Sequence, residues 1–224
     1  MESTIQPISA RSRTAFKTVA HGNKRAYEVT KRLFDIIFSL TVLLFFLPIL
    51  ALIAAAVVID DFGNPFFIQK RVGKNGAIFR IIKFRSMYKN AEKQRYILED
   101  SNLIKDGPIF KMKNDPRATR LGRLLRKTSL DELPQLINIL MGDMSVVGPR
   151  PLIPSEQPQC GPEAKRLGVI PGLTGLWQVN GRNDTTYCEM MELDLKYIRE
   201  KSFSLDLRII WRTAGAVLRS KGAY

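Results

Sequence analysis

The chain contains few of the side chains that most often bind metals or form nucleophilic catalytic groups. It has a single histidine, His21, and two cysteines, Cys160 and Cys188, which are too far apart in sequence for metal-ligand spacing. A zinc site and a histidine-dependent catalytic triad are therefore almost excluded. We interpret the two cysteines as free thiols of a reducing compartment.

Acidic residues are also scarce relative to basic ones. The 224 residues include 35 Lys and Arg against 21 Asp and Glu, which gives a formal charge of +14. Such a balance indicates an anionic partner, and nucleic acid, acidic lipid and a phosphorylated substrate all fit. Apolar residues make up 45% of the chain, enough for the core of one catalytic domain.

One long apolar segment, Leu33–Ile59, follows a polar and basic N-terminal tail over residues 1–30, which we predict to be flexible. As a straight helix the segment would be about 40 Å long, more than the ~30 Å hydrocarbon layer requires. It could span the membrane once. Two features favour a re-entrant helix over residues 31–60 instead. Pro48 should break the helix near its middle, and both flanks are basic, which favours the same cytoplasmic side for both ends.

The remaining residues, 61–224, are predicted to form a cytoplasmic catalytic domain. Two β-rich stretches, Phe66–Arg71 and Ala77–Phe84, flank an Asn-Gly pair and predict a short β-hairpin. Helices are predicted over Asn90–Leu98, over Leu121–Lys127, over about 130–141, over Tyr187–Lys201 and over Leu205–Leu218. The glycine-rich stretch Val169–Arg182 is predicted to be an extended loop with one short strand at Leu176–Val179. The predicted fold class is α+β and mostly helical. The amphipathic basic helix Leu121–Lys127 fits a position on lipid headgroups and an ordinary solvated surface equally well.

Two adjacent carboxylates, Asp131 and Glu132, lie at a predicted helix N-terminus. Exposed N–H groups and the helix dipole favour negative charge there and should keep an aspartate ionised, as a nucleophile requires. Neighbouring carboxylates also suit Mg²⁺, which prefers oxygen ligands and substrate phosphates. Several cations could neutralise a pyrophosphate beside this pair. They are Lys83, Arg85, Arg120, Arg126 and Arg150.

Each of these assignments has a purely structural alternative. Ser129–Glu132 matches the capping box S-x-x-E, which stabilises a helix without chemistry. On the residues alone, the capping box is the stronger interpretation. Arg150, which lies between Pro149 and Pro151, fits an ordinary surface turn. It also fits a phosphate clamp, because a side chain braced on both sides loses little entropy on binding.

Four motifs together resemble those of the bacterial sugar transferases, the monotopic polyprenyl-phosphate phosphoglycosyl transferases. They occur in the expected order, and the resemblance covers about Lys31 to the C-terminus. The motifs are Lys83–Met87, the run from Asp115–Arg117 through Ser129–Leu136, Gly148–Pro151 and Pro171–Arg182. The compact chain is most similar to the galactosyl-lipid transferases that start exopolysaccharide synthesis in rhizobia.

This resemblance implies a role for each matching residue. The nucleophile of the family falls on Asp131, its Mg²⁺-linked glutamate on Glu132, and its phosphate-binding cations on Lys83, Arg126 and Arg150. Arg85, within the first motif, is a further candidate for phosphate binding. The break of the re-entrant membrane helix falls on Pro48, and amphipathic interfacial helices are expected around the active site. Three features depart from the family. Leu47 replaces a common serine before Pro48, Ile170 replaces a frequent basic residue before Pro171 and is not a phosphate ligand, and Gln94–Asp106 is longer than in the smallest members.

The implied function is transfer of a hexose-1-phosphate, galactose or glucose, from a UDP-sugar to undecaprenyl phosphate. An aspartyl-phosphosugar intermediate, release of UMP and Mg²⁺ as cofactor are expected. The expected location is the bacterial inner membrane, with membrane lipid and no nucleic acid as partners. The chain could be a monomer or a homo-oligomer. The alternatives are a membrane-tethered basic protein that binds acidic lipid or nucleic acid, and an enzyme that transfers the sugar alone.

Overall fold

A single long helix, α1, leads into a small mixed domain. The computed structural model describes residues 21–94, 97–98, 102–104, 107–110, 112, 114–158, 162–180 and 185–218. Helix α1 covers His21–Asp60, so the last ten residues of the predicted flexible tail are helical. The boundary predicted at residue 30 is therefore corrected to His21, while residues 1–20 lie outside the described residues. The predicted extension Gln94–Asp106 is described only in part.

Helix α1 is long and apolar enough to cross a membrane, by length and composition. Its apolar side chains are mostly exposed, including Phe45 and Leu52, which is typical of a surface that lies in lipid. Pro48 lies inside the helix, and the helix continues past it. Both ends of α1 contact the domain. Near its start, the Arg32 side chain donates to the carbonyl oxygens of Ile139 and Leu140. Near its end, Val57 is buried against the domain.

The predicted hairpin is confirmed. Strands β1 (Phe66–Val72) and β2 (Ile78–Phe84) pair antiparallel in continuous register. Asn75 and Gly76 both have positive φ, 56° and 79°, which is the conformation that makes this pair a strong hairpin signal. Because β2 alternates exposed and buried residues from Ile78 to Ile81, Phe79 and Ile81 face the core, and Lys83 lies on the same face near the end of the strand.

A second sheet was not predicted. Strands β3 (Ser145–Val147) and β4 (Gly172–Thr174) are parallel neighbours, although three residues each are too few to show a hydrophobic alternation. The short strand predicted at Leu176–Val179 is wrong, because this stretch is helix α4 (Leu176–Asn180). Gly172 permits the close pairing, since a Cβ there would lie 2.0 Å from the Gly148 nitrogen.

Four further helices complete the domain and confirm the mostly helical fold class. They are α2 (Arg120–Thr128), α3 (Gln135–Met141), α5 (Tyr187–Glu200) and α6 (Phe203–Leu218). The main core lies between the hairpin, α3, β3, α5 and α6, and Ile139 and Ile209 are almost fully buried in it. Phe34 and Phe38 of α1 pack against this core, which fixes the long helix to the domain.

The short helices also present apolar side chains on the outside of the domain. Leu124 of α2, Met141 of α3 and Trp211 of α6 are all more than half exposed, and Trp211 is 81% exposed. Exposed aromatic and aliphatic side chains beside basic residues are typical of helices that lie on a membrane surface. This arrangement supports the interfacial position for α2, which the sequence left open.

Candidate active site

The two carboxylates lie on a sharp turn between α2 and α3. Helix α2 ends at Ser129, whose φ of 59° is left-handed, and Leu130–Glu132 then form one turn of 3₁₀ helix. The Ser129 side chain makes no capping hydrogen bond. The capping-box interpretation is therefore wrong, because Ser129 serves as the C-cap of the preceding helix and the Glu132 carboxylate is engaged elsewhere.

Glu132 is held between two cations from different parts of the chain. Its Oε1 accepts from Lys83 Nζ at 3.3 Å and from Arg150 Nη2 at 3.0 Å. Burial alone would raise the pKa of Glu132, but Arg150 and Lys83 outweigh it and hold this pKa well below its usual range. Burial lowers the pKa of Lys83, and the neighbouring Glu132 opposes that change. The glutamate is thus a permanent anion with fixed partners.

Asp131 has a different environment, although it is the adjacent residue. Its side chain is buried, and no residue that the structure describes donates a hydrogen bond to its carboxylate. Burial, followed by the charge of Glu132, raises the pKa of Asp131 to about 6, against the opposing effect of Lys83, Arg126 and Arg150. The expectation that the helix terminus keeps this group strongly ionised is corrected: burial outweighs the local field. At pH 7 about nine tenths of the carboxyl groups are still ionised.

The other predicted cations differ in the contacts that they make. Arg126 contributes to the field at Asp131 and lies 3.8 Å from the Asp115 carboxylate. Arg120 is exposed on α2. Arg85 donates to the backbone oxygen of Asp61 and lies 3.8 Å from its carboxylate, at the end of α1. The structure therefore brings Lys83, Asp131, Glu132 and Arg150 together, with Arg126 nearby, and directs Arg85 to the membrane helix.

Two residues that position this site were not identified from the sequence. Asn138 is fully buried on α3, where its Oδ1 accepts from the Ile82 nitrogen and its Nδ2 donates to the Arg80 oxygen. It joins α3 to β2 and so places Lys83 beside Glu132. Asp115 forms a two-point ion pair with Arg117 as well as its contact with Arg126. The sequence offered one sign that Asn138 has a structural role: it is a polar residue within the apolar stretch of α3.

Magnesium fits this site only together with a substrate. Within the described ranges, no group of three or more His, Cys, Asp or Glu side chains could hold a metal ion. Mg²⁺ typically binds one or two carboxylates and completes its shell with phosphate oxygens and water. Asp131 and Glu132 supply the carboxylates, and the donor phosphates would supply the remaining oxygens. The donor set is thus compatible with the ion.

Comparison with known proteins gives a consistent result. The family model for "Bacterial sugar transferase" matches residues 26–220. The chain is 42% identical over 210 residues to the undecaprenyl-phosphate galactose phosphotransferase of Salmonella typhimurium, with 90% of this chain and 43% of that protein covered. It is also 42% identical over 203 residues to the exopolysaccharide production protein ExoY of Rhizobium meliloti, with 88% of each chain covered.

A third relative carries a different sugar in its name. The undecaprenyl-phosphate glucose phosphotransferase of Komagataeibacter xylinus is 40% identical over 210 residues, which cover 87% of this chain and 37% of that protein. The chain thus spans less than half the length of the Salmonella and Komagataeibacter proteins, and most of the length of ExoY.

Proposed function

Because the chain belongs to the bacterial sugar transferase family, we propose that it transfers a hexose-1-phosphate from a UDP-sugar to undecaprenyl phosphate. One observation carries the proposal most directly. Asp131 is a buried aspartate to which none of the described residues donates a hydrogen bond, and it adjoins a glutamate that two cations hold in place. The names of the relatives support a lipid-phosphate acceptor, and they include both galactose and glucose.

In the first step, an oxygen of the Asp131 carboxylate attacks the phosphorus that carries the sugar. A new bond forms between this oxygen and phosphorus, the bond from phosphorus to the bridging oxygen breaks, and UMP leaves with that oxygen. Asp131 suits this role because a carboxylate without hydrogen bonds keeps its lone pairs available. Arg150, Lys83 and Arg126 offset the negative charge that the pyrophosphate brings to the site.

In the second step, a phosphate oxygen of undecaprenyl phosphate attacks the same phosphorus. The bond to Asp131 breaks, the free carboxylate is regenerated, and the product is an undecaprenyl diphosphosugar. Two steps suit an enzyme at a membrane surface, because one substrate is soluble and the other remains in lipid. The exposed apolar surface of α1 and Trp211 provide the adjoining contact with the bilayer.

Glu132 is the residue that would hold Mg²⁺, together with donor phosphate oxygens. Bound there, the ion would supply charge neutralisation for the leaving phosphate. Glu132 keeps its negative charge over the whole physiological range because Arg150 and Lys83 stabilise it. Its fixed orientation between these two side chains aligns the carboxylate with the donor site.

We further propose that α1 is re-entrant and that the domain faces the cytoplasm at the inner membrane. Both ends of α1 contact the same domain, through Arg32 at one end and Val57 and Asp61 at the other. The middle of the helix around Pro48 is exposed. A charged domain stays on one side of the bilayer, so both helix ends should lie on that side.

The alternatives predict different products. A membrane-tethered protein that binds acidic lipid or nucleic acid would release nothing from a UDP-sugar. An enzyme that transfers the sugar alone would release UDP, because the bond between sugar and phosphate would break instead. The buried Asp131 favours chemistry over simple binding, because a protein that only holds an anion has no use for a carboxylate among the cations Lys83, Arg126 and Arg150, whereas a nucleophile requires one.

The decisive experiment incubates purified protein in detergent with undecaprenyl phosphate, Mg²⁺ and a panel of UDP-sugars. We expect UMP from one or both of UDP-galactose and UDP-glucose. A donor labelled in the sugar-linked phosphate, supplied without acceptor, should label the protein, and peptide mapping should place the label on Asp131. Release of UDP, or a label on another residue, would contradict the proposal.

A further inference from the structure

The turn that carries Arg150 is anchored along its whole length. At its ends the backbone makes ordinary sheet-like bonds: Gly148 N donates to Thr174 O at 2.8 Å, and Val72 N donates to Leu152 O at 2.9 Å. Pro149 and Pro151 have no N–H, so at these two residues the backbone can be held only through the carbonyl groups. The Pro149 oxygen accepts from the Gly172 nitrogen at 2.9 Å.

The two remaining carbonyl groups accept from arginine side chains instead of backbone. Arg166 Nη2 donates to the Arg150 oxygen at 2.7 Å, and Arg71 Nη1 donates to the Pro151 oxygen at 3.1 Å. Arg166 binds the backbone of Arg150, and the Arg150 side chain in turn donates to Glu132. Arg166 thus fixes the backbone from which the Arg150 guanidinium extends.

Arg166 is itself fixed by a buried carboxylate. The same Nη2 atom donates to Asp194 Oδ2 of α5 at 2.6 Å, and both side chains are almost completely buried. Burial raises the pKa of Asp194, and Arg166 opposes this change. Buried ion pairs rarely add net stability, because desolvation offsets their attraction, and apolar pairs of similar size are often at least as stable. A role in stability therefore accounts poorly for this pair.

We propose that Arg166 and Asp194 form a positioning pair that holds Arg150 against Glu132 for phosphoryl transfer. The inference rests on the proposed function, in which Arg150 offsets the charge of the donor pyrophosphate. Asp194 orients the guanidinium of Arg166, Arg166 holds the backbone of Arg150, and Arg150 reaches the site. Neither member of the pair needs to contact the substrate.

The test is a double-mutant cycle on UMP release. One variant replaces the pair by apolar side chains of similar size, Arg166→Met with Asp194→Leu, and a second variant is Arg150→Met. With Arg150 present, we expect replacement of the pair to lower kcat/KM by about 10- to 100-fold, since small displacements of a catalytic group have effects of this size. In the Arg150→Met background, the same replacement should lower it by less than about 3-fold.

Lys165→Met is the matched control, because it removes a neighbouring exposed charge and should leave UMP release unchanged. If the apolar pair does not fold, Arg166→Lys takes its place: lysine keeps the charge beside Asp194 but lacks the rigid planar group that aims one nitrogen at both the Arg150 oxygen and the Asp194 carboxylate. Equal losses in both Arg150 backgrounds, or no loss in either, would overturn the positioning pair in an active enzyme. Wild-type protein that releases no UMP would overturn both this inference and the proposed function.

Discussion

Two buried aspartates, Asp131 and Asp206, show how similar residues serve different purposes in this molecule. Asp206 on α6 is 2% exposed and accepts three hydrogen bonds, from Tyr27 and Lys31 of α1, each at 2.9 Å, and from Tyr197 at 2.8 Å. Asp131 is 8% exposed and accepts no hydrogen bond from any residue that the structure describes. Both oxygens of the Asp206 carboxylate accept hydrogen bonds, whereas neither oxygen of Asp131 accepts one from a described residue.

The contrast separates an anchoring carboxylate from a reactive one. Asp206 joins the start of the membrane helix to the domain, and a satisfied buried network of this kind stabilises one arrangement. The pKa of Asp131 is raised to about 6 because burial and Glu132 disfavour its charge, so its ionised form is held at a cost in stability. Burial alone does not indicate function; the number of bonds to the buried group does.

The largest expected effect is that of Asp131→Asn on catalysis. The variant keeps the size of the side chain but loses the attacking oxygen, so UMP release should fall by at least about 10⁴-fold. Radiolabelled UMP and mass spectrometry of the trapped protein measure the rate and the intermediate. Asp143→Asn, which changes a carboxylate outside the site, serves as the control. Full activity of Asp131→Asn would remove the distinction between the two aspartates.

Asp206→Asn should instead act on stability. It weakens the bonds to Tyr27 and Tyr197 and leaves Lys31 without its counter-ion, which should cost on the order of 3 kcal/mol. The midpoint of thermal unfolding in detergent should fall by roughly 6–12 °C. Glu28→Gln is the control, because Glu28 is exposed and its contact with Lys201 at 3.8 Å should contribute little. An unchanged midpoint for Asp206→Asn would mean that this network does not anchor α1.

The sequence was sufficient for features that depend on local chemistry. Asn75-Gly76 specifies the hairpin because the positive φ values belong to those two residues themselves. The family motifs predicted Lys83, Asp131, Glu132 and Arg150 as site residues, although these residues come from three distant parts of the chain. Their convergence was implied by the resemblance and could not be derived from spacing alone.

Features that depend on tertiary contacts were missed. Ser129 was taken for an N-cap, but its left-handed backbone makes it the end of α2. A short strand was predicted at Leu176–Val179, but the stretch is helix α4, whose Leu176 and Trp177 pack into two hydrophobic clusters. Arg166 and Asp194 are 28 positions apart, and no short motif joins them. Side chains that act through other side chains have no local signature.

Lys83 and Arg85 belong to the same motif but have different contacts, so they extend the contrast between a catalytic and an anchoring role to two basic residues. Lys83 contacts Glu132 in the active site, while Arg85 contacts Asp61 at the end of the membrane helix. Lys83→Met should lower kcat/KM by about 10²-fold, as expected for loss of a charge-stabilising donor. Arg85→Met should lower it by less than about 10-fold and should lower the thermal midpoint more than Lys83→Met does. If the order of the two kinetic effects is reversed, Arg85 binds phosphate after all.

The pH dependence of catalysis should report the raised pKa of Asp131. Only the ionised carboxylate attacks, so kcat/KM for the UDP-sugar should rise with pH up to about 6 and then level off. Below that value, each unit of pH should lower the rate about tenfold. An acid limb centred near 4 would indicate that the free enzyme does not bury an uncompensated carboxylate at this position.

The smallest expected effect concerns the stability cost of Asp131 itself. A carboxyl whose folded pKa is raised binds its proton more tightly in the folded state, so stability is lost as the pH rises from the ordinary value near 4 to about 6, and the full cost is present above about 6. Asp131→Asn, which cannot ionise, should therefore raise the thermal midpoint at pH 8 by a few degrees, roughly 2–4 °C per kcal/mol gained. The advantage should shrink as the pH falls towards 4, where the wild-type carboxyl is also neutral. Asp206→Asn should lower the midpoint at pH 8, and the opposite signs of the two shifts would distinguish the reactive aspartate from the anchoring one without any measurement of activity.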